Sequence, residues 1–188
     1  ITGPNAAGKT TMVKSVIINV LLTQQFGCGF YDSCKLKPYD QIHSYINIPD
    51  TSGRDSLFQA EARQCMKIIK ECESDERTLC IFDELFSGTN PYEAIGAATA
   101  VLEHLNKNKS VTYLITTHFL QLCNKMDETK EVINLKMDSE LVDGEVKHSY
   151  KLSNGVSKVK GGIAVLKQLG YPKDVVERSK NVIDSLSL

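Results

Sequence analysis

Apolar residues recur at helical spacing in three long segments, and short apolar or β-branched runs lie between those segments. The spacing predicts helices over residues 9–25, 56–73 and 92–106. Strands are predicted over residues 42–48, 78–82 and 111–116, with a further extended piece near Phe30 and a polar loop over residues 50–55. Helices that alternate with buried strands are typical of an α/β protein, in which a mostly parallel sheet is flanked by helices.

The pattern changes after residue 130. Two strand-like segments, residues 131–136 and 146–152, surround an Asp143-Gly144 turn, which predicts an antiparallel β-hairpin. Two helices are predicted to follow over residues 162–169 and 172–186.

These two patterns suggest two parts of one domain. Residues 1–130 would form the core, and residues 131–188 would form C-terminal strands followed by a helix-turn-helix segment.

Composition narrows the class of protein. The 188 residues are 41% hydrophobic and carry a net charge of −1, so they can form a core but have no basic footprint for direct nucleic-acid binding. Six cysteines form no C-x-x-C pair, which favours reduced thiols. With no visible signal peptide and no apolar run long enough to span a bilayer, we expect an intracellular protein, cytoplasmic or nuclear, with no membrane partner; a viral origin stays open.

The first ten residues contain a phosphate-binding loop, Gly-x-x-x-x-Gly-Lys-Thr. Gly3 and Gly8 allow the backbone to curl so that its N–H groups point at phosphate oxygens, next to the N-terminus of a helix. Lys9 would reach the β- and γ-phosphates, and the Thr10 hydroxyl would ligate Mg²⁺. Such a loop normally follows a buried strand, of which residues 1–2 would be the remaining part.

Two strand ends carry further candidate chemistry. The strand over residues 78–82 leads into Asp83, which would hold Mg²⁺, and Glu84, which would orient or deprotonate the attacking water. The strand over residues 111–116 leads towards His118, and ligands of α/β sheets lie beyond the carboxyl ends of strands. His118 would therefore also face the phosphates.

Ser56 allows two interpretations. It has the position of a plain helix N-cap. It could also lie at a second anion-binding helix end that contacts a nucleotide held by another subunit. The residues alone leave both open.

Taken together, four motifs resemble the ATPase domain of MutS-type DNA mismatch repair proteins, which belong to the ABC-type ATPase superfamily. In chain order they are Gly-Pro-Asn-x-x-Gly-Lys-Thr, a Ser-x-Phe-x-x-Glu helix start, Asp-Glu-x-x-x-Gly-Thr and Thr-His. The tail, with its Gly-x-Pro-x-x-Val sequence, resembles the end of the same domain. Ala6-Ala7 and Leu85-Phe86-Ser87 depart from the common pattern, as in a divergent MutS-like branch.

The resemblance implies a P-loop NTPase fold and a role for each matching residue. Glu84, His118 and Lys9 would be catalytic, and Thr10 and Asp83 would hold Mg²⁺. The expected ATP-binding residues are Gly3, Pro4, Asn5, Ala6, Ala7, Gly8, Lys9, Thr10, Thr11 and Ser56. Ser56 would act on the nucleotide of a partner domain, and Gly88-Thr89 and the C-terminal helices would face that partner.

The implied function is Mg-dependent ATP hydrolysis by a homo- or heterodimer. ATP would draw two domains together, and domains outside this chain would bind mismatched or branched DNA. Two alternatives remain. One is a recombination or structural-maintenance type of DNA ATPase without mismatch specificity. The other is a nucleotide-gated dimerisation module with little turnover.

Overall fold

The computed structural model describes residues 1–48, 56–142, 145–159 and 161–186, so the expected loop over residues 50–55 and the Asp143-Gly144 turn lie outside the described residues. The chain is a mixed α/β protein. Its helices are α1 Lys9–Phe26, α2 Leu57–Glu71, α3 Pro91–Asn106, α4 Leu120–Glu128, α5 Gly162–Gln168 and α6 Lys173–Leu186. Its strands are β1 Gln41–Tyr45, β2 Thr78–Asp83, β3 Val111–Thr116, β4 Leu135–Val142 and β5 Glu145–Asn154.

The first three strands form a parallel sheet in the order β1-β2-β3. Thr78 of β2 lies between Gln41 and Val111, and Asp83 at the end of β2 is level with Thr116. Parallel strands in register bring their carboxyl ends to one edge of the sheet. The residues that follow β2 and β3 therefore emerge side by side.

The central strand β2 is buried on both faces, which explains its continuous apolar run. Leu79 and Ile81 pack with Val13 of α1, on one side of the sheet. Cys80 and Phe82 join the core formed with α2, α3 and α4 on the other side. Their alternation follows the two-residue period of a strand.

Strands β4 and β5 form a separate antiparallel pair, with Leu135 level with Asn154. Residues 1–2 lie between this pair and the parallel sheet. The Ile1 nitrogen donates to the Ile115 carbonyl at 2.6 Å, and the Thr2 nitrogen donates to the Leu135 carbonyl at 2.8 Å. The expected short strand piece before the phosphate-binding loop is therefore present as an isolated bridge between the two sheets.

Most of the predicted elements are confirmed, but two predictions need correction and one helix was missed. The segment near Phe30 is not a strand, because its backbone nitrogen donates to the Asn19 side chain of α1 at 2.6 Å instead of to a sheet. Helix α4 was not expected from the sequence. Strand β4 begins at Leu135 and not at residue 131, since its pairing with β5 starts only there, opposite Asn154.

Candidate functional site

The carboxyl edge of the parallel sheet lies beside the glycine-rich loop at residues 3–8. Gly8 adopts a left-handed conformation with φ of 91°, and Ala6 also has a positive φ of 63°. Helix α1 then begins with no acidic residue in its first turn and no side-chain cap from the described residues. A helix N-terminus with uncapped N–H groups favours an anion.

Lys9 is the buried cation of this loop. Its side chain is only 6% exposed, and its Nζ donates to the carbonyl oxygens of Gly3 at 3.0 Å and Pro4 at 3.4 Å. The carboxylate of Glu84 lies 3.6 Å away. A buried ammonium with two neutral acceptors and one half-exposed carboxylate is well placed to accept further negative charge.

Asp83 links the loop helix to the sheet. The Thr10 hydroxyl donates to one of its carboxylate oxygens at 2.8 Å, and the Thr116 hydroxyl donates to the other. The two residues predicted to hold Mg²⁺ are thus in direct contact. Their hard oxygen atoms suit Mg²⁺, which binds through few protein ligands and keeps several waters. Among the described residues, no cluster of three or more His, Cys, Asp or Glu could form a dedicated metal cage.

Glu84 faces both other predicted catalytic residues. Its Oε1 lies 3.8 Å from His118 Nδ1 as well as 3.6 Å from Lys9 Nζ. The facing His118 lowers the pKa of Glu84 and Lys9 adds to this effect, while partial burial opposes it. Glu84 is therefore ionised at neutral pH and able to accept a hydrogen bond.

Two cavities flank the loop and share Asn5, Ala6 and Glu84. One, of about 580 Å³, also contacts His118. The other, of about 670 Å³, extends along the start of α1 to Tyr150 of β5.

The remaining predicted binding residues lie in different places. Gly3 and Pro4 line the first cavity, and Gly8, Thr10 and Thr11 line the second. Ala7 is 1% exposed and packs in the core, so only its backbone could contact a ligand.

Ser56 also lines neither cavity. It is the N-cap of α2, and its hydroxyl accepts from the Gln59 nitrogen at 3.3 Å in a capping box. The plain N-cap interpretation is thus confirmed, while a role of Ser56 on a partner's nucleotide stays a prediction.

Sequence reasoning missed three residues around this site: Thr116, Tyr150 and Glu61. Thr116 could have been found, since it ends a predicted strand. Tyr150 carries no sequence signal, because it reaches the loop only through the fold; a Cβ on Gly8 would lie 3.3 Å from its ring. Glu61 is the last residue of the Ser-x-Phe-x-x-Glu motif, and the sequence assigned it no role.

These features define a mixed α/β domain with a glycine-rich loop, a buried lysine and two carboxylates at the edge of a parallel sheet. Residues 1–187 match the family model of MutS domain V. The chain belongs to the MutS family.

Relatives from several microorganisms align along nearly the whole chain. The DNA mismatch repair protein MutS of Phocaeicola vulgatus is 32% identical over 191 residues, and that of Streptococcus agalactiae is 28% identical over 188 residues; both alignments cover 99% of this chain. The DNA mismatch repair protein MutS 1 of Halobacterium salinarum is 30% identical over 187 residues. The chain spans only 21–22% of the length of these relatives. None of the helices among the described residues is both long and apolar enough to cross a membrane.

Proposed function

We propose that this chain is the ATP-binding and hydrolysing domain of a MutS-like DNA mismatch repair protein. The observation that carries the proposal is the convergence of Lys9, Glu84 and His118 at an uncapped helix N-terminus, with Thr10 on Asp83 beside them. Membership of the MutS family supports the same function, since its named relatives are mismatch repair proteins.

Each residue has a distinct role in this proposal. Lys9 would transfer its hydrogen bonds from Gly3 and Pro4 to phosphate oxygens, and the N–H groups at the start of α1 would hold the same charge. Glu84 would accept a hydrogen bond from the attacking water, and His118 would hold the Glu84 carboxylate in place. Mg²⁺ bound near Thr10 and Asp83 would neutralise charge on the phosphates.

The second cavity would hold the nucleoside part of ATP. Tyr150 is 66% exposed at its rim, so its ring could stack on a base. This contact would add affinity without taking part in the chemistry.

A dimer with composite sites completes the proposal. Ser56 stands at an exposed helix N-terminus outside its own chain's cavities, which suits contact with a nucleotide held by a second domain. ATP binding would draw the two domains together, and mismatched or branched DNA would be bound by other parts of the protein.

The test is steady-state ATP hydrolysis by the intact protein and by its Glu84→Gln variant. The variant should bind Mg-ATP but turn it over roughly 100- to 10,000-fold more slowly, the range for loss of a general base. Unchanged turnover in the variant would refute the catalytic assignment.

Two further measurements separate the alternatives. A single-turnover experiment that finds binding without hydrolysis would identify a nucleotide-gated dimerisation module. Equal affinity for mismatched and fully paired DNA in a gel-shift assay would point to a DNA ATPase without mismatch specificity.

A further inference from the structure

Glu61 is a buried carboxylate that the proposed chemistry does not use. It lies in the second turn of α2 and is 2% exposed. Burial of a carboxylate is costly in free energy unless hydrogen-bond donors satisfy it. The donors that contact Glu61 therefore indicate its role.

Besides a hydrogen bond with the Tyr45 side chain, Glu61 accepts three hydrogen bonds from the segment that follows Glu84. Its Oε1 accepts from the Ser87 nitrogen at 3.1 Å and from the Ser87 hydroxyl at 2.8 Å. Its Oε2 accepts from the Gly88 nitrogen at 3.0 Å. One carboxylate thus holds two consecutive backbone N–H groups, an arrangement that fixes the backbone direction as well as its position.

That segment has an unusual backbone. Glu84 has φ of 54° and Phe86 has φ of 60°, both in the left-handed region that residues with a side chain rarely adopt. Such conformations persist only where the surrounding structure holds them. Here the Glu84 nitrogen donates to Thr116 on one side, and Glu61 holds Ser87 and Gly88 on the other.

Close packing reinforces the contact between α2 and this segment. A Cβ on Gly88 would lie 2.8 Å from both the Leu57 side chain and the Phe58 nitrogen. The rings of Phe58 and Phe86 meet edge to face at 5.7 Å. Helix α2 therefore supports the backbone turn that starts at Glu84.

We propose that Glu61 is a positioning residue for Glu84: by holding Ser87 and Gly88 it maintains the left-handed turn that directs the Glu84 carboxylate towards Lys9 and His118. This inference rests on the proposed ATPase function. It assigns Glu61 no contact with ATP, and Glu61 lines neither cavity beside the loop.

The test is the Glu61→Gln variant of the intact protein. Gln keeps the shape but sets an NH₂ group against a backbone N–H, so one carboxylate contact with the turn is lost. A misplaced catalytic group should lower kcat by roughly 100-fold, while the dissociation constant for Mg-ATP stays within about two-fold.

Two control variants separate positioning from general destabilisation. Ile68→Val removes a methylene from the same helix at a buried site, and it should lower the melting temperature without this loss of kcat. Glu71→Gln makes the same chemical change at an exposed position of α2 and should alter neither quantity.

A second variant covers the case in which Glu61→Gln does not fold. Gly88→Ala leaves the carboxylate intact but forces the turn away from Leu57 and Phe58. It should show the same loss of kcat with retained Mg-ATP binding. Normal kcat in the folded variant would overturn the inference, as would an equal loss in Ile68→Val.

The Glu84→Gln variant distinguishes the two proposals. If it turned over ATP normally, the proposed function itself would fail. If it were inactive while Glu61→Gln remained fully active, only the positioning role would be refuted.

Discussion

The left-handed conformation of Gly8 can be tested by replacing it with alanine. The same replacement at Gly96, where the backbone is helical, serves as the control. Gly8 has φ of 91°, so Gly8→Ala forces a residue with a Cβ into the left-handed region, at a cost of about 1–2 kcal/mol. The new Cβ would also lie 3.3 Å from the Tyr150 ring, but that exposed side chain can move away.

Gly96 lies within helix α3, and nothing would lie within 4 Å of a Cβ there. Gly96→Ala should therefore stabilise the protein by about 0.5–1 kcal/mol, the usual gain for alanine over glycine in a helix. Both changes restrict the unfolded chain in the same way, so the difference between them reports the native backbone.

The assay is equilibrium unfolding in urea, followed by circular dichroism, together with thermal melts. For a chain of this size, Gly8→Ala should lower the melting temperature by about 2–8 °C, and Gly96→Ala should raise it by about 1–4 °C. Mg-ATP at 100 times its dissociation constant should add about 2.7 kcal/mol to the original protein, and this gain should shrink only in Gly8→Ala. A shift in the same direction for both variants would refute the reasoning.

Three further outcomes are expected. If the Tyr150 ring stacks on the base, Tyr150→Ala should weaken Mg-ATP binding by about 1–3 kcal/mol, as measured by calorimetry. The control Tyr92→Ala, at an 88% exposed position outside both cavities, should leave the affinity for Mg-ATP unchanged. A thiol reagent should modify the exposed Cys28 and Cys34 rapidly in the native protein and the four buried cysteines only after unfolding; early reaction of more than two thiols would contradict the fold. The pKa of Glu84 is lowered below its ordinary 4.5. Its ionised form and the stability it contributes should therefore persist above pH 4.5 and be lost only as the pH falls through its lower native pKa. In a pH–rate profile, a loss of kcat between pH 6 and 5 that disappears in Glu84→Gln would contradict this.

The sequence alone was enough for the α/β class and for the residues at the loop. A run such as that of β2 is apolar at every position because both faces are covered, and the helices show their buried faces through residue spacing. Lys9, Thr10, Asp83 and Glu84 follow from the motif because the chain orders them locally, either in one turn of backbone or directly after one strand.

Local patterns gave weaker guidance where long-range pairing determines the structure. Strand β4 starts at Leu135 because its pairing with Asn154 of β5 and its hydrogen bond from Thr2, more than 130 residues earlier, both begin there. Helix α4 is only nine residues long, so its apolar spacing offered too few repeats to be recognised.

The sequence by itself therefore determined which groups meet beside the glycine-rich loop. Only the tertiary structure decided how those groups are held. Glu61 and Tyr150 come from distant segments. The role proposed for Glu61 depends on a buried carboxylate that meets a strained turn, and the role proposed for Tyr150 depends on a ring that lies against Gly8. The spacing of residues along the chain does not reveal such contacts, because they form only when the helices and strands pack together.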